Sequence, residues 1–335
     1  MRNQYHRSEL SRGKYPCPVT ERTWLTLKGG TMELPLLILL TTQVLLPTFF
    51  LLWLWLPRPV DRITWLMRVV YGACYFAFIT VVGRWDFLST TLAIVLPLVF
   101  LASATLAYMR VRHHRWNRSA SILRPHGLTA AMAVFFLALT ARALSGYGYQ
   151  DSAVDLDFPF ASGNYYIGQG GSTTSINYHH TDQSLRYALD IVALNGFGAR
   201  AASVMPKNLV DYVIYDREVK SPCTGVAVST HDGIDDNRIS ETNTGEPAGN
   251  HIILACGTAR VLLAHLRKGS ITVQGGEIVT AGETLGRVGN SGNSSEPHLH
   301  MHAYLGGTLD YNAGEGLPMT FDGRFLVRGS TVTLP

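Results

Sequence analysis

The sequence predicts a multi-span α-helical membrane region followed by a mainly antiparallel β domain. Two observations carry this reading. The long uncharged runs of the 335-residue chain fall before residue 145, and the second half has instead the Gly, Asn and Ser content and short apolar alternation of a β domain. A third observation assigns chemistry to that second half. His298, His300 and His302 recur at every second position behind a loop rich in Gly, Asn and Ser. In a strand such positions share one face, with Leu299, Met301 and Ala303 turned to the core.

Taken in order, residues 1–31 are polar and basic, with Arg2, Arg7, Arg12, Lys14, Arg22 and Lys28, and lack the pattern of a cleaved signal peptide. Leu34 to Pro57 contains no charge and is long enough to cross a bilayer as a helix. Ile63 to Gly83 is a second candidate, with Arg68 placed to snorkel from one end. Phe87 to Met109 is a third, and Gly127 to Gly146, carrying Arg142 near its end, a fourth. Trp53, Trp55, Trp65, Trp85 and Trp116 lie near run ends, as interfacial aromatics do.

The link between the third and fourth runs holds Arg110, Arg112, Arg115, Arg118 and Arg124 and no acid, the mark of a cytoplasmic loop. One further crossing carries everything after about residue 147 to the outside. The expected division is a tail at 1–31, a four-helix membrane region at 32–146 and an extracytoplasmic domain at 147–335. That topology puts the basic tail outside, against the positive-inside tendency. Translation from Met32, behind a purine-rich stretch encoding Lys28-Gly-Gly30, removes the conflict, and the expectation is that residues 1–31 are not translated or lack order.

In the second half, Leu189–Ala193 reads as a buried strand, and 226–229 and 251–255 as a hairpin closed by the loop 230–249. A register with Ser229 opposite Asn250 brings Cys223 opposite Cys256, so a disulfide is expected there in an oxidising compartment. The acids of the loop, Asp232, Asp235, Asp236, Glu241 and Glu246, lack the ligand spacing of an EF-hand and read as a solvated loop. Gly286, Gly289 and Gly292 have neither the following Lys nor the strand-to-helix context of a phosphate loop. A net charge of +4 without a basic helix or basic-aromatic face gives no footprint for nucleic acid. The only charges inside the apolar runs are arginines near their ends, without acidic partners, which argues against a transporter or sensor.

The stretch Ser291-Gly-Asn-Ser-Ser-Glu-Pro-His-Leu-His300 resembles the signature of the M23 (LytM/lysostaphin-type) zinc metallopeptidases, which cut peptide bonds in bacterial peptidoglycan. Pro222-Cys-Thr-Gly225, Gly249-Asn-His-Ile-Ile253, Ala264-His-Leu266 and Val279-Thr-Ala-Gly-Glu-Thr-Leu-Gly286 extend the resemblance, which spans roughly residues 155 to 310. It implies a duplicated-hybrid-motif-like β fold, a Zn2+ cofactor, peptidoglycan peptides as substrate and a place at the bacterial cytoplasmic (inner) membrane. It assigns Asp190 and His300 as zinc ligands and His265 and His298 as catalytic, non-ligand histidines. One position departs from the family. The first ligand is usually a His four residues before the Asp, and here that residue is Arg186, whose guanidinium cannot bind zinc. His179 and His180 lie just upstream, and His302 shares a face with His300. His179 is preferred, because Asn177-Tyr-His179 follows the pattern of a family branch that has Arg-Tyr-Ala-Leu-Asp here. Arg186 is expected to turn from the metal toward a carboxylate. The leading expectation is a membrane-anchored zinc endopeptidase acting on peptidoglycan cross-links. The alternative is a catalytically inactive member of the fold that binds peptidoglycan or regulates another hydrolase.

Overall fold

A computed structural model describes residues 34–56, 61–114, 120–307 and 309–335. The expectations for residues 1–31 and for Arg115, Trp116 and Arg118 lie outside the described residues. Among the described residues, four helical stretches are long and apolar enough to cross a membrane. We label these helices α1 (Leu36–Trp53, with a π turn at Thr41–Leu45), α2 (Arg62–Val82), α3 (Leu92–Val111) and α4 (Ala120–Leu144). Helix α2 starts where Asp61 accepts the backbone N–H of Thr64 at 2.8 Å, satisfying a donor the first turn leaves free. Helices α2 and α3 approach closely because Gly72 has no side chain: a Cβ there would lie 2.4 Å from the Phe100 ring. Large apolar side chains such as Ile94, Leu128 and Val134 point outward, at 66%, 75% and 65% exposure, the inverse of a water-facing helix bundle.

Two details of the helical region differ from the sequence expectation. Arg68 does not snorkel. It is buried and donates to the Trp53 carbonyl at 2.6 Å, one of the oxygens that the end of α1 leaves without an intrahelical partner. The third helix also begins later than the apolar run. Trp85–Phe87 form a 3-10 turn, and the Thr90 N–H is donated to the Gly198 carbonyl at 2.9 Å, so residues 83–91 belong to a loop fastened to the β domain. Trp85 is accordingly buried, its indole N–H on the Ile79 carbonyl, rather than interfacial.

The β domain is built on an antiparallel sheet containing β1 (Gly163–Gln169), β2 (Leu189–Ala193), β3 (Gly225–His231), β4 (Asn250–Cys256), β5 (Ala259–Leu266), β6 (Ile278–Val279), β7 (Leu299–Leu305) and β8 (Thr331–Leu334). Their order is β8-β1-β2-β7-β5-β4-β3-β6, so β7 lies centrally between β2 and β5. Strand β7 obeys the period-2 rule: Leu299, Met301 and Ala303 join the core with Ile191, Ile252 and Leu263, and its histidines take the other face. Strands β3 and β4 are longer than expected and pair as far as His231 opposite His251, with a bulge between Ala227 and Ser229. Ser229 therefore faces Ile253, not Asn250. Cys223 and Cys256 are nevertheless joined in a disulfide, with Cα atoms 5.9 Å apart.

The helices and the β domain share packing. Ala143 of α4 is buried with Ile176 and Val327 of the β domain, and Val81 and Val82 of α2 pack on this cluster. The Ser172 N–H is donated to the Gly146 carbonyl, and a Cβ on Gly146 would lie 2.5 Å from Thr173 Oγ1.

Candidate metal and catalytic site

Pairing of β2 with β7 sets Asp190 directly opposite His300, and His300 Nδ1 lies 2.9 Å from Asp190 Oδ1. His179 reaches the same carboxylate from outside the sheet. It sits in a 3-10 turn, Tyr178–Thr181, and its Nε2 is 3.1 and 3.2 Å from the two Asp190 oxygens. Asn177 holds that turn in place. Fully buried, it accepts the His179 N–H through Oδ1 and donates through Nδ2 to the carbonyls of Gly171 and Ala188. His180 faces elsewhere, its Nδ1 3.0 Å from the Arg186 carbonyl. Arg186 does not find the expected carboxylate among the described residues. Its guanidinium lies over the Tyr187 ring, 5.4 Å from the centroid, a contact open to a planar cation. His302 lies behind His300, with Nδ1 3.1 Å from His300 Nε2.

His265 and His298 approach from the opposite side. His265 stands at a bulge in β5: Asn250 pairs with Leu266 but Ile252 with Leu263, leaving one residue extra. It adopts a left-handed φ of 62°, an uncommon conformation for a residue with a Cβ, and its N–H is held by the Ala248 carbonyl. His265 Nδ1 lies 2.8 Å from the Ser291 carbonyl and His298 Nδ1 2.9 Å from the Glu296 carbonyl. A carbonyl can only accept, so Nδ1 carries the proton in each ring and Nε2 is left as the free acceptor of the neutral form. The two ring centroids are 4.8 Å apart, and His298 Nε2 is 3.6 Å from Asp190 Oδ1. Ser291 comes this near because Gly249, with φ of 58°, has no Cβ; one there would lie 2.5 Å from the Ser291 carbonyl.

Charge and burial act in opposite directions here. Burial works to raise the Asp190 carboxyl, but His179 and His298 and the hydrogen bonds of His179 and His300 outweigh it and hold Asp190 well below its ordinary value. Burial first, then His298 and His300, keep His265 well below the ordinary imidazole value, and burial brings His300 down to about 4. The centre thus sets an anionic carboxylate beside His265 and His300, whose burial favours their neutral forms.

That donor set suits a metal. Single ligand atoms of His179, Asp190 and His300 lie within 4.8 Å of one another, as do those of His265, His298 and His300. Two imidazoles and a carboxylate are a zinc-type set, and bonds of 2.0–2.2 Å place tetrahedral ligand atoms about 3.3 Å apart, close to the separations around Asp190. An open cavity of about 260 Å³ is lined by Tyr178, His179, His265, His300 and His302 among others. Tyr178 was not singled out from the sequence. Its hydroxyl is 3.5 Å from Asp190 Oδ2, its ring lies tilted against His179 with centroids 4.0 Å apart, and the Asp190 charge followed by burial keeps the phenol protonated. Its place beside His179 in Asn177-Tyr-His179 is the only sequence signal for it.

Residues 213–310 match the model of peptidase family M23, a segment that contains His265, His298 and His300 and begins after His179 and Asp190. No curated protein matches the chain. Similar solved structures include lysostaphin, at 22% identity over 38% of this chain and 40% of that one, with a TM-score of 0.23. A zinc-containing peptidase from Vibrio cholerae is 15% identical over 55% of this chain and 41% of its own, with a TM-score of 0.29. A peptidase M23 from Pseudomonas aeruginosa is 18% identical over 49% of this chain and 53% of its own, with a TM-score of 0.27. The chain thus spans about two-fifths of the first two, and TM-scores this low fix neither activity nor substrate. The β domain thus carries, over residues 213–310, a match to peptidase family M23.

Proposed function

We propose that the chain is a membrane-anchored zinc endopeptidase that hydrolyses the peptide cross-links of peptidoglycan, with residues 32–146 as anchor and 147–335 as the peptidase domain. The observation that carries the reading is the convergence of five side chains from four places in the fold. His179, Asp190 and His300 are the metal ligands, and His265 and His298 the catalytic pair. Held by this set, zinc supplies a Lewis acid and acidifies a bound water. The chain's own residues do the rest. Asp190 brings negative charge to the cation, and His302 fixes the ring of His300 through its second nitrogen. His265 and His298 present unprotonated Nε2 atoms that orient and deprotonate the attacking water, then return the proton to the leaving amine. The Tyr178 hydroxyl is placed to donate to the developing oxyanion.

The outward apolar faces of the helices support a bilayer as partner. The loop 83–91 and the β domain lie together at one end of the bundle, and Arg62 donates to the Arg112 carbonyl at the other. With the arginine-rich link in the cytoplasm, this arrangement supports an extracytoplasmic peptidase domain. The test uses the full chain in detergent micelles. Expected are about one zinc per chain and new amine termini in cross-linked peptidoglycan, seen by mass spectrometry and abolished by a chelator. A folded, zinc-loaded chain that binds peptidoglycan and cuts none of it would leave the binding or regulatory reading in its place.

A further inference from the structure

The loop between α2 and α3 does more than join two helices. Arg84 forms a fork with Asp86, Nε to Oδ1 and Nη2 to Oδ2, both at 2.8 Å, and the Asp86 side chain is fully buried. Arg200 of the β domain, also buried, lies over the Phe87 ring, 3.4 Å from its centroid, and its N–H is donated to the Asp86 carbonyl. The Arg200 guanidinium holds Glu296 Oε2 through Nε at 3.0 Å and Nη2 at 2.6 Å. Arg84 Nη2 lies 3.7 Å from the other oxygen of the same carboxylate. Two cations and two anions, two of the four from each side, therefore form one closed, largely desolvated set. Glu296 is also the residue whose carbonyl receives His298 Nδ1.

We propose that residues 83–91 of the membrane region are a positioning element of the active centre. Through Arg84, Asp86 and Arg200 they fix Glu296, and through the Glu296 carbonyl they fix the ring plane and Nδ1–H tautomer of His298. The catalytic part of this inference rests on the function proposed above; the positioning of the His298 ring does not. Exposed ion pairs hold little, but a desolvated set with bidentate geometry resists rearrangement, since breaking it strands a charge. Catalysis is sensitive to such placement, because displacing a reacting group by about 1 Å lowers the rate by about a hundredfold.

The test uses the full chain in detergent micelles with Asp86→Asn, with Glu296→Gln, and with the double variant Arg84→Gln/Asp86→Asn, which leaves no stranded charge if the first fails to fold. Nitrogen NMR of ring-labelled histidines in the metal-free chain reads the His298 tautomer. Kinetics on cross-linked peptidoglycan peptides read kcat and KM on the zinc-loaded chain. Expected are a change from a single Nδ1–H form of His298 to mixed tautomers, and a fall in kcat of about tenfold to a hundredfold with zinc content and KM unchanged. A folded double variant with an unaltered His298 signal and unaltered kcat overturns the proposal. Should the wild-type chain cut nothing, the endopeptidase reading fails while the His298 signal still decides whether the loop positions the ring.

Discussion

At the scale of single residues, the proposed function divides the site into groups that hold a cation and groups that act on water, and substitutions should separate them. His179→Ala is expected to remove zinc and activity together, measured as metal content after dialysis and as peptide cleavage. His298→Ala should abolish cleavage and leave about one zinc per chain. Arg186→Ala should change neither, since its cation lies on Tyr187 and not at the metal centre. Tyr178→Phe removes one donor aimed at the reacting centre and should lower kcat by about a hundredfold with little change in KM. The sequence made His298, His300 and His302 legible because a strand has a period of two, and β7 carries His300 and His302 with His298 immediately before it. It preferred His179 over His180 and His302 on the family resemblance alone, because what turns His179 toward Asp190 is a 3-10 turn pinned by a buried Asn177, and no periodicity encodes that turn. Tyr178 stayed hidden for the same reason.

At the scale of elements, the strained points are where the chain departs from regular strand. His265 is delivered by a bulge at a left-handed φ, and Ser291 reaches it because Gly249 is left-handed and bare. Gly249→Ala should destabilise the domain by about 2 kcal/mol or more, read as a drop in Tm, because the φ is unfavourable and the new Cβ meets Ser291 backbone. The hairpin shows the limit of register arguments. The expected pairing of Ser229 with Asn250 ended the strands too early, for they pair on to His231 opposite His251, yet the cysteines at the hairpin's base are joined. Replacing both Cys223 and Cys256 by Ala opens a loop 33 residues apart in sequence. The expected loss is about 3–4 kcal/mol, checked by denaturant unfolding with and without reductant.

At the scale of the whole molecule, the buried charges between helices and β domain give stability a pH dependence of known sign. Burial would raise the Asp86 carboxyl, but the charge and hydrogen bonds of Arg84, then Arg200, hold it below its ordinary value of 3.8. A depressed carboxylate contributes fully above that value and loses its contribution as pH falls below it. Asp190 has the same sign in the metal-free chain. The Tm of the full chain should therefore fall steeply below about pH 4, and the Arg84→Gln/Asp86→Asn double variant should show a shallower fall. The apolar runs announced the helices, but nothing in the sequence announced that residues 87–91 leave the third run and that the loop 83–91 grips the β domain. That contact joins residues about a hundred apart through backbone groups, which every sequence possesses.

The brevity of the connection after α4 has one more consequence. Ala143 is already packed among β-domain side chains, and Gly146 is hydrogen-bonded to Ser172, so no slack chain separates the last helix from the β domain. A hydrolase on a long tether can sweep a volume of wall; the one proposed here has no swing. In the proposed topology its reach is the immediate face of the bilayer, and what it cuts is selected by depth as much as by chemistry: the newest wall, still beside the membrane, and little of the older material above it.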